Sequence, residues 1–375
     1  MSDMVHVEKL KLSDFRNYSG LSLAFDARHV VLTGENGAGK TNLLEAISLL
    51  SPGRGLRRAT YGDVPRKGSL SGFSVFAAVC GMEGPVEIGT GAGSADDGGA
   101  RRIRVNGAPA PASDALLAHL RVLWLTPAMD GLFTGPASDR RRFVDRLVLS
   151  IDPLHGRRAL DYERAMRSRN RLLSEGRPDP VWLDGIEAQM AELGVAIAAA
   201  RRELVGLLQR MIERDQEAEP FPKATLTLSG FLDEAGSSRP AVELEEAFAR
   251  LLRDGRLRDA AAGRTLDGPH RADLMIRHRA KDMEAARSST GEQKALLIGL
   301  VVAHARLVAE MTGHAPVLLL DEVAAHLDEG RRRALFDLID GLGGQAFMTG
   351  TDRTMFATLG ERAQFLTVEG GSVSA

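Results

Sequence analysis

The sequence is short of cysteine, lysine and aromatic residues, and each shortage excludes something. Cys80 is the one cysteine in 375 residues. A disulfide framework and a cysteine-built zinc site are therefore excluded, and a reducing compartment is expected. Aromatic residues make up 5%. No basic run is interleaved with them, so base-stacking recognition of single strands is not favoured. No stretch approaches about 18 uninterrupted apolar residues, which excludes a membrane span. The start, Met1-Ser2-Asp3-Met4-Val5-His6, lacks the basic-then-apolar pattern of a signal peptide, so a cytoplasmic protein is expected. Net charge is also nearly absent: 48 Lys and Arg against 50 Asp and Glu give −2. Any contact with nucleic acid must then come from a local patch. Only 7 of the basic residues are lysine. The arginine excess suits bidentate contact with phosphate or carboxylate, although a GC-rich coding sequence gives the same bias.

What is present is an ordinary globular composition, 44% apolar and 26% charged. The length corresponds to about 2.5 domains, so two compact lobes are expected. Short strands are read from Val5 to Leu12 and from Leu21 to Phe25, and His29-Val30-Val31-Leu32-Thr33 has the β-branched, uninterrupted character of a strand buried on both faces. A helix follows from about Lys40 to Leu50, with Leu43, Leu44, Ile47 and Leu50 on one face. Further strands are read at Ser74–Val79, Val86–Ile88 and Leu123–Leu125. Arg101–Val105 followed by Asn106-Gly107 predicts a hairpin with a type I′ turn. Gly91–Gly99, rich in Gly and Asp, reads as a surface loop. From Asp139 to Gln216 helical periodicity dominates. After a mixed patch with a strand at Ala224–Leu228 and a helix at Val242–Leu252, the strand-and-helix texture returns from Arg264: strands at Asp273–Ile276, Val317–Leu320 and Ala346–Thr349, helices at Gln293–Met311 and Gly330–Leu342.

The strongest motif is Gly34-Glu35-Asn36-Gly37-Ala38-Gly39-Lys40-Thr41. It lies between a buried strand and an amphipathic helix, the context a phosphate-binding P-loop requires. Its N–H groups and the helix N-terminus cradle phosphate. Lys40 reaches the β- and γ-phosphates, and the Thr41 hydroxyl holds Mg²⁺. A second motif, Val317-Leu318-Leu319-Leu320-Asp321-Glu322, runs a buried strand into two carboxylates: Asp321 for the metal, Glu322 to polarise the attacking water. A strand ending in acids is by itself often a solvated turn; the P-loop favours the catalytic reading. A third motif, Ser288-Ser289-Thr290-Gly291-Glu292-Gln293, opens a long helix. Alone it reads equally as an N-cap with a capping-box Glu. Its place some 30 residues before the Asp321 strand matches ABC-type ATPases, where Ser289 and Gly291 would complete the partner subunit's ATP site. Asp328 closes a D-loop-like stretch, in which the lone His326 reads as structural. The last strand ends Thr349-Gly350-Thr351-Asp352, with Thr351 where these ATPases usually place a histidine.

Several blocks together resemble the RecF family. They are Phe15-Arg16-Asn17-Tyr18, the P-loop continuing through Asn42-Leu43-Leu44-Glu45-Ala46, Gly53-Arg54 before Arg57-Arg58, and Gly135-Pro136 with Arg141-Arg142-Phe143-Val144-Asp145. Arg169-Asn170 with Leu172-Leu173 and Gly268-Pro269-His270-Arg271 complete the set, in the family's order, over nearly the whole chain. The resemblance implies an α/β P-loop ABC-type ATPase head, a mixed sheet with flanking helices, carrying an inserted mainly helical lobe. The expected division is residues 1–135 and 261–375 for the head and 136–260 for the lobe. It also implies ATP and Mg²⁺ as cofactors, with Arg16, Asn17, Asp328 and Thr351 among the nucleotide contacts. An ATP-dependent homodimer on DNA, with slow, DNA-stimulated hydrolysis as its switch, would act with RecR and RecO and help load recombinase at single-strand gaps. This places the chain in DNA repair, replication, recombination and the SOS response, with no membrane partner. Three departures stand out: Glu322 where the family usually has Asp, Ala272 where it has Asp, and Ala325-His326 where Ser-Glu is common.

DNA contacts are expected from local basic patches. Between Asp139 and Arg177 there are eleven Arg against six acids, and Arg164, Arg167 and Arg171 fall on one helix face. A solvated face with i,i+4 pairs such as Glu163 to Arg167 is the competing reading. Arg54, Arg57 and Arg58 form a second cluster, and Arg101, Arg102 and Arg104 a third. Two other functions remain to be weighed: an ATPase subunit of an ABC transporter, which the missing Gln-bearing loop and terminal histidine disfavour, and an inert nucleotide-binding scaffold, which intact Lys40, Asp321 and Glu322 disfavour.

Overall fold

The computed structural model describes residues 4–375 apart from 70, 94–98, 176–178, 215–219 and 237–238, so most of the expected Gly91–Gly99 loop lies outside the described residues. In chain order, β1 (His6–Phe15), β2 (Tyr18–Ala24), β3 (His29–Thr33), α1 (Lys40–Ser48), β4 (Phe73–Gly81), β5 (Gly84–Ala92), β6 (Arg101–Val105), β7 (Ala108–Pro109) and β8 (Val122–Leu125) come first. Next are α2 (Ala137–Leu149), α3 (His155–Ser174), α4 (Pro180–Arg214), β9 (Ala224–Ser229), α5 (Phe231–Ala235), α6 (Ala241–Asp254), α7 (Arg256–Ala262), β10 (Asp273–His278) and β11 (Met283–Glu284). The chain closes with α8 (Thr290–Thr312), β12 (Val317–Leu320), α9 (Glu329–Leu342), β13 (Ala346–Gly350), β14 (Ala363–Glu369) and β15 (Ser372–Ser374). They form two compact units. The first holds Met1–Asp130 and Thr290–Ala375, with the short piece Ala218–Phe221; the second holds Gly131–Glu217 and Pro222–Ser289.

The first unit contains two six-stranded sheets. One is antiparallel, in the order β2-β1-β4-β5-β6-β7; the other runs β15-β14-β3-β13-β12-β8 and is parallel except for its edge strand β15. Burial explains the difference in composition. β3, β8, β12 and β13 are buried at every position, as parallel strands covered on both faces must be. β4 alternates buried and partly exposed residues, one face to the core and one to solvent. Between the sheets lies one apolar core that includes Leu10, Leu12, Leu32, Leu44, Leu319 and Phe347. Gln345, fully buried, stitches across it. Its Oε1 accepts from Val7 N–H at 2.9 Å and its Nε2 donates to the Asp26 carbonyl at 3.0 Å. Val7 sits where the β1–β4 register shifts, so the side chain satisfies backbone that the irregular ladder leaves open. The expected hairpin forms: Asn106 (φ 50°) and Gly107 (φ 80°) both take the left-handed conformations a type I′ turn needs.

Helix α8 starts at Thr290, three residues before the periodicity suggested, and is apolar nearly all round. By length and composition it is the one helix among the described residues that suffices to cross a membrane. It is instead a core helix of this unit, with Leu296, Leu297, Ile298, Leu300 and Val301 among its buried residues.

The second unit is built on α3, the 35-residue α4 and α6, which bury Tyr162, Met190, Val195, Ala198, Leu244 and Phe248 against one another. It also has its own sheet, β11-β10-β9. The unit therefore extends to Ser289 and includes β10, whereas the sequence reading closed the lobe at 260 and gave Asp273–Ile276 to the head. The reason is pairing: Asp273 lies opposite Ser229 and His278 opposite Ala224, a non-local match that local patterning does not reveal. β14 and β15 were also not anticipated.

Candidate functional site

Parallel strands end at one edge of their sheet, and loops there are the usual place for a ligand. Leu320 is in register with Met348, and Gly350 with Thr33. The residues at the ends of β3, β12 and β13 are thereby brought together: the P-loop after β3, the Asp321-Glu322 pair after β12, and Thr349 with Gly350 closing β13.

The P-loop follows β3 directly and opens α1 at Lys40. Two of its glycines are required by close approach. A Cβ on Gly34 would stand 2.2 Å from the Val368 carbonyl oxygen of β14, and one on Gly39 2.6 Å from both Asn17 Nδ2 and Tyr18 Oη; both residues have positive φ. Those contacts show how the Arg16-Asn17-Tyr18 turn supports the loop. The Tyr18 hydroxyl donates to the Gly39 carbonyl at 3.1 Å, and Asn17 Nδ2 donates to the Ala38 carbonyl at 3.2 Å. Burial pushes the Tyr18 phenol up, so it stays a donor.

Lys40 Nζ donates to the Gly34 and Glu35 carbonyls at 2.7 and 2.8 Å. Burial lowers its pKa, and the nearby charges of Glu322 and Asp321 work in the opposite direction. The Thr41 hydroxyl donates to Asp321 Oδ1 at 2.9 Å and lies 3.2 Å from Oδ2. A hydroxyl oxygen beside a carboxylate is the protein's usual share of a Mg²⁺ site, the remainder coming from phosphate and water. The donor set therefore fits that ion. Among the described residues no group of three or more His, Cys, Asp and Glu could hold a metal alone.

Arg16 and Asn17, expected at the nucleotide, have protein partners of their own. Arg16 makes a bidentate pair with Glu45, which is 1% exposed, and also donates to the Asp63 carbonyl. Arg57, expected on DNA, donates to Glu45 at 2.9 Å and to Asn42. Glu45 thus gathers two arginines against α1. Arg54 and Arg58 are exposed, the latter in the left-handed region. In β6, Arg101 points inward and donates to the Leu49, Ser51 and Gly53 carbonyls past the end of α1, while Arg102 and Arg104 are exposed.

Ser289 and Gly291 are exposed at the start of α8. Asp328 caps α9, accepting from Arg331 N–H at 2.8 Å. Thr351 is exposed just beyond β13. The His326 side chain lies outside the described residues. Ala272 is buried, and its carbonyl accepts from Arg141. Arg164, Arg167 and Arg171 share the exposed face of α3, with Arg164 paired to Asp161 and Arg171 lying 3.8 Å from Glu175. Sequence reasoning missed Thr349, whose hydroxyl contacts both acidic positions, and Glu45. Thr349 carried a signal, as the polar residue closing the apolar run Ala346-Phe347-Met348; Glu45 carried none, since by helical spacing it lies opposite Leu43, Ile47 and Leu50, and only the packing of α1 buries it.

Residues 6–373 match the model of the RecF/RecN/SMC N terminal domain. Over its full length the chain is 69% identical to the DNA replication and repair protein RecF of Rhizobium rhizogenes, across 374 residues, and 66% identical to that of Agrobacterium fabrum, across 376, covering all of each relative. Among solved structures it resembles the recombination mediator protein RecF-ATPrS in the RecFOR pathway, with a TM-score of 0.87, 24% identity, and coverage of all of this chain and 98% of that one. It also resembles the Smc head domain with an extended coiled coil from Pyrococcus furiosus, with a TM-score of 0.55, 16% identity, and coverage of 99% and 96%. The fold is that of an ABC-type ATPase head.

Proposed function

The chain belongs to the RecF family, and from that membership we propose that it is a slow, DNA-stimulated ATPase of recombinational repair and replication-fork maintenance. In this reading ATP, held with Mg²⁺, closes a homodimer on DNA. The dimer acts with RecR and RecO, in the cytoplasm, to help load recombinase at single-strand gaps, and hydrolysis releases it.

The observation that carries the reading is the Thr41 hydroxyl on the Asp321 carboxylate at 2.9 Å, with Glu322 next in the chain and Lys40 within its charge field. In the mechanism that follows, the P-loop amides and Lys40 bind the β- and γ-phosphates. Thr41 and Asp321 would hold a Mg²⁺ ion, whose chemistry there would be to neutralise negative charge on the phosphoryl group. Glu322 orients the attacking water and accepts its proton. Ser289 and Gly291, at the start of α8, present a helix N-terminus to the γ-phosphate of a second copy. Exposed Arg54, Arg58, Arg164, Arg167 and Arg171 meet the DNA backbone without reading sequence. Full-length similarity to DNA replication and repair proteins sets the transporter reading aside.

The test is Glu322→Gln. The amide keeps the shape but is not a base. ATP binding should stay within about twofold of wild type while turnover falls by roughly 100-fold, the scale of general-base catalysis, and a dimer should accumulate on DNA with ATP. Light scattering with ATP and duplex DNA checks this. A Glu322→Gln protein that turns over at the wild-type rate, or that stays monomeric, refutes the assigned role.

A further inference from the structure

We propose that Thr349 is the positioning residue of the acidic pair, one hydroxyl fixing the orientation of both Asp321 and Glu322. The inference rests on the reading of this site as one that hydrolyses ATP. A threonine hydroxyl has one proton to give and lone pairs to receive. Here both are used: Thr349 Oγ1 donates to Asp321 Oδ1 at 2.8 Å and accepts the Glu322 N–H at 2.9 Å. The side chain is 1% exposed, so water does not substitute for either bond.

Each bond has a separate consequence. Asp321 Oδ1 accepts from two hydroxyls, Thr41 and Thr349. Thr41 is the residue whose oxygen would ligate Mg²⁺. Thr349, on β13, donates to the same carboxylate oxygen as Thr41 and keeps the carboxylate's rotation when Thr41 turns its lone pairs to a cation. At the other position, Glu322 lies at φ 53° and ψ 20°, a left-handed conformation unfavourable for a side chain of its size. Its N–H is tied to Thr349, which holds the bend and hence the direction in which its carboxylate leaves the strand end. β13 lies between the P-loop strand β3 and the acidic strand β12, so one hydroxyl from the middle strand references metal ligand and base to the same backbone.

The experiment compares the wild type, Thr349→Val, which keeps the shape without the hydroxyl, and Thr349→Ser, which keeps the hydroxyl without the methyl. Binding of a fluorescent ATP analogue is measured in EDTA and then across a Mg²⁺ titration, Mn²⁺ binding with ATP is followed by electron paramagnetic resonance, and turnover is recorded on the same samples. Thr349→Val should bind the analogue in EDTA like the wild type. It should need about tenfold more Mg²⁺, bind Mn²⁺ correspondingly less tightly and turn over about tenfold more slowly, the scale of one buried hydrogen bond. Thr349→Ser should recover most of both losses. If Thr349→Val does not fold, Thr349→Ala is read in the same way, since it removes the hydroxyl without adding bulk. A Val or Ala variant with the wild-type Mg²⁺ requirement overturns the proposal, as does a Ser variant as impaired as Val, which would assign the effect to packing. A wild-type protein that hydrolyses no ATP at any Mg²⁺ concentration refutes the ATPase reading instead.

Discussion

Lys40 combines two demands that pull against each other. It is 4% exposed, and burial disfavours its charge, yet the loop carbonyls of Gly34 and Glu35 and the carboxylates of Asp321 and Glu322 keep an ammonium there. A charge held in advance at the mouth of the loop costs little to orient when phosphate enters. Lys40→Ala should therefore weaken ATP binding by roughly 100-fold or more, the equivalent of 2–3 kcal/mol of charge-assisted hydrogen bonding. Calorimetric titration with ATP measures it, and undiminished affinity would contradict the role. Arg16 and Arg57 show the opposite use of charge. Both are spent on Glu45, so their immediate effect is to brace α1 behind the P-loop.

At the scale of elements, α3 carries two classes of arginine on one helix. Tyr162, Ala165, Arg169 and Leu173 make its buried stripe, and Arg164, Arg167 and Arg171 its exposed one. Arg169 is fully buried. It donates to Glu187 at 2.9 Å, to Asp259 at 2.7 Å, to Thr265 and to the Leu252 carbonyl, joining α3 to α4, α6 and α7. Its neighbour Asn170 accepts from both N–H and hydroxyl of Thr265. On α3 position 169 lies opposite Arg164, Arg167 and Arg171, and a guanidinium buried there requires carboxylates to meet it. Arg169→Met removes the cation that Asp259 and Glu187 share; among the described residues Glu187 then keeps Arg256, and Asp259 keeps Arg258 at 3.6 Å. The expected loss is about 3–5 kcal/mol, read as a lower denaturation midpoint by circular dichroism. A loss below about 1 kcal/mol would show that the network is not coupled to folding of the lobe.

For the whole molecule, the proposed nucleotide machinery has two parts. The P-loop and acidic pair face one sheet edge, while Ser289 and Gly291 stand exposed at the start of α8. In the proposed two-fold dimer each copy supplies that helix start to the other's nucleotide. Ser289→Arg should leave ATP affinity within about twofold of wild type, since Lys40 and Thr41 are untouched, and should abolish ATP-driven dimerisation by placing a bulky cation where the phosphate enters. Light scattering with and without ATP decides the matter: a Ser289→Arg protein that still dimerises fully rules the shared site out.

The sequence by itself determined whatever depends on neighbours in the chain. The uninterrupted apolar runs at β3, β12 and β13 are locally visible because a strand covered on both faces excludes polar side chains. The P-loop is legible because its glycines and Lys40-Thr41 are needed at fixed spacing, and the Asn106-Gly107 turn because few residues accept two successive positive φ angles. Only the tertiary structure decided the rest. It assigned β10 to the second unit through its pairing with β9, added β14 beside β3, paired Arg57 with Glu45, turned Arg101 inward, and set Thr349 between Asp321 and Glu322. Those outcomes depend on which distant segment arrives opposite a given backbone or side chain. Partners of that kind, Asp273 with Ser229 or Thr349 with Asp321, leave no periodic trace in the chain, because the contact is fixed by the packing of whole strands and helices and not by the order of residues along either one.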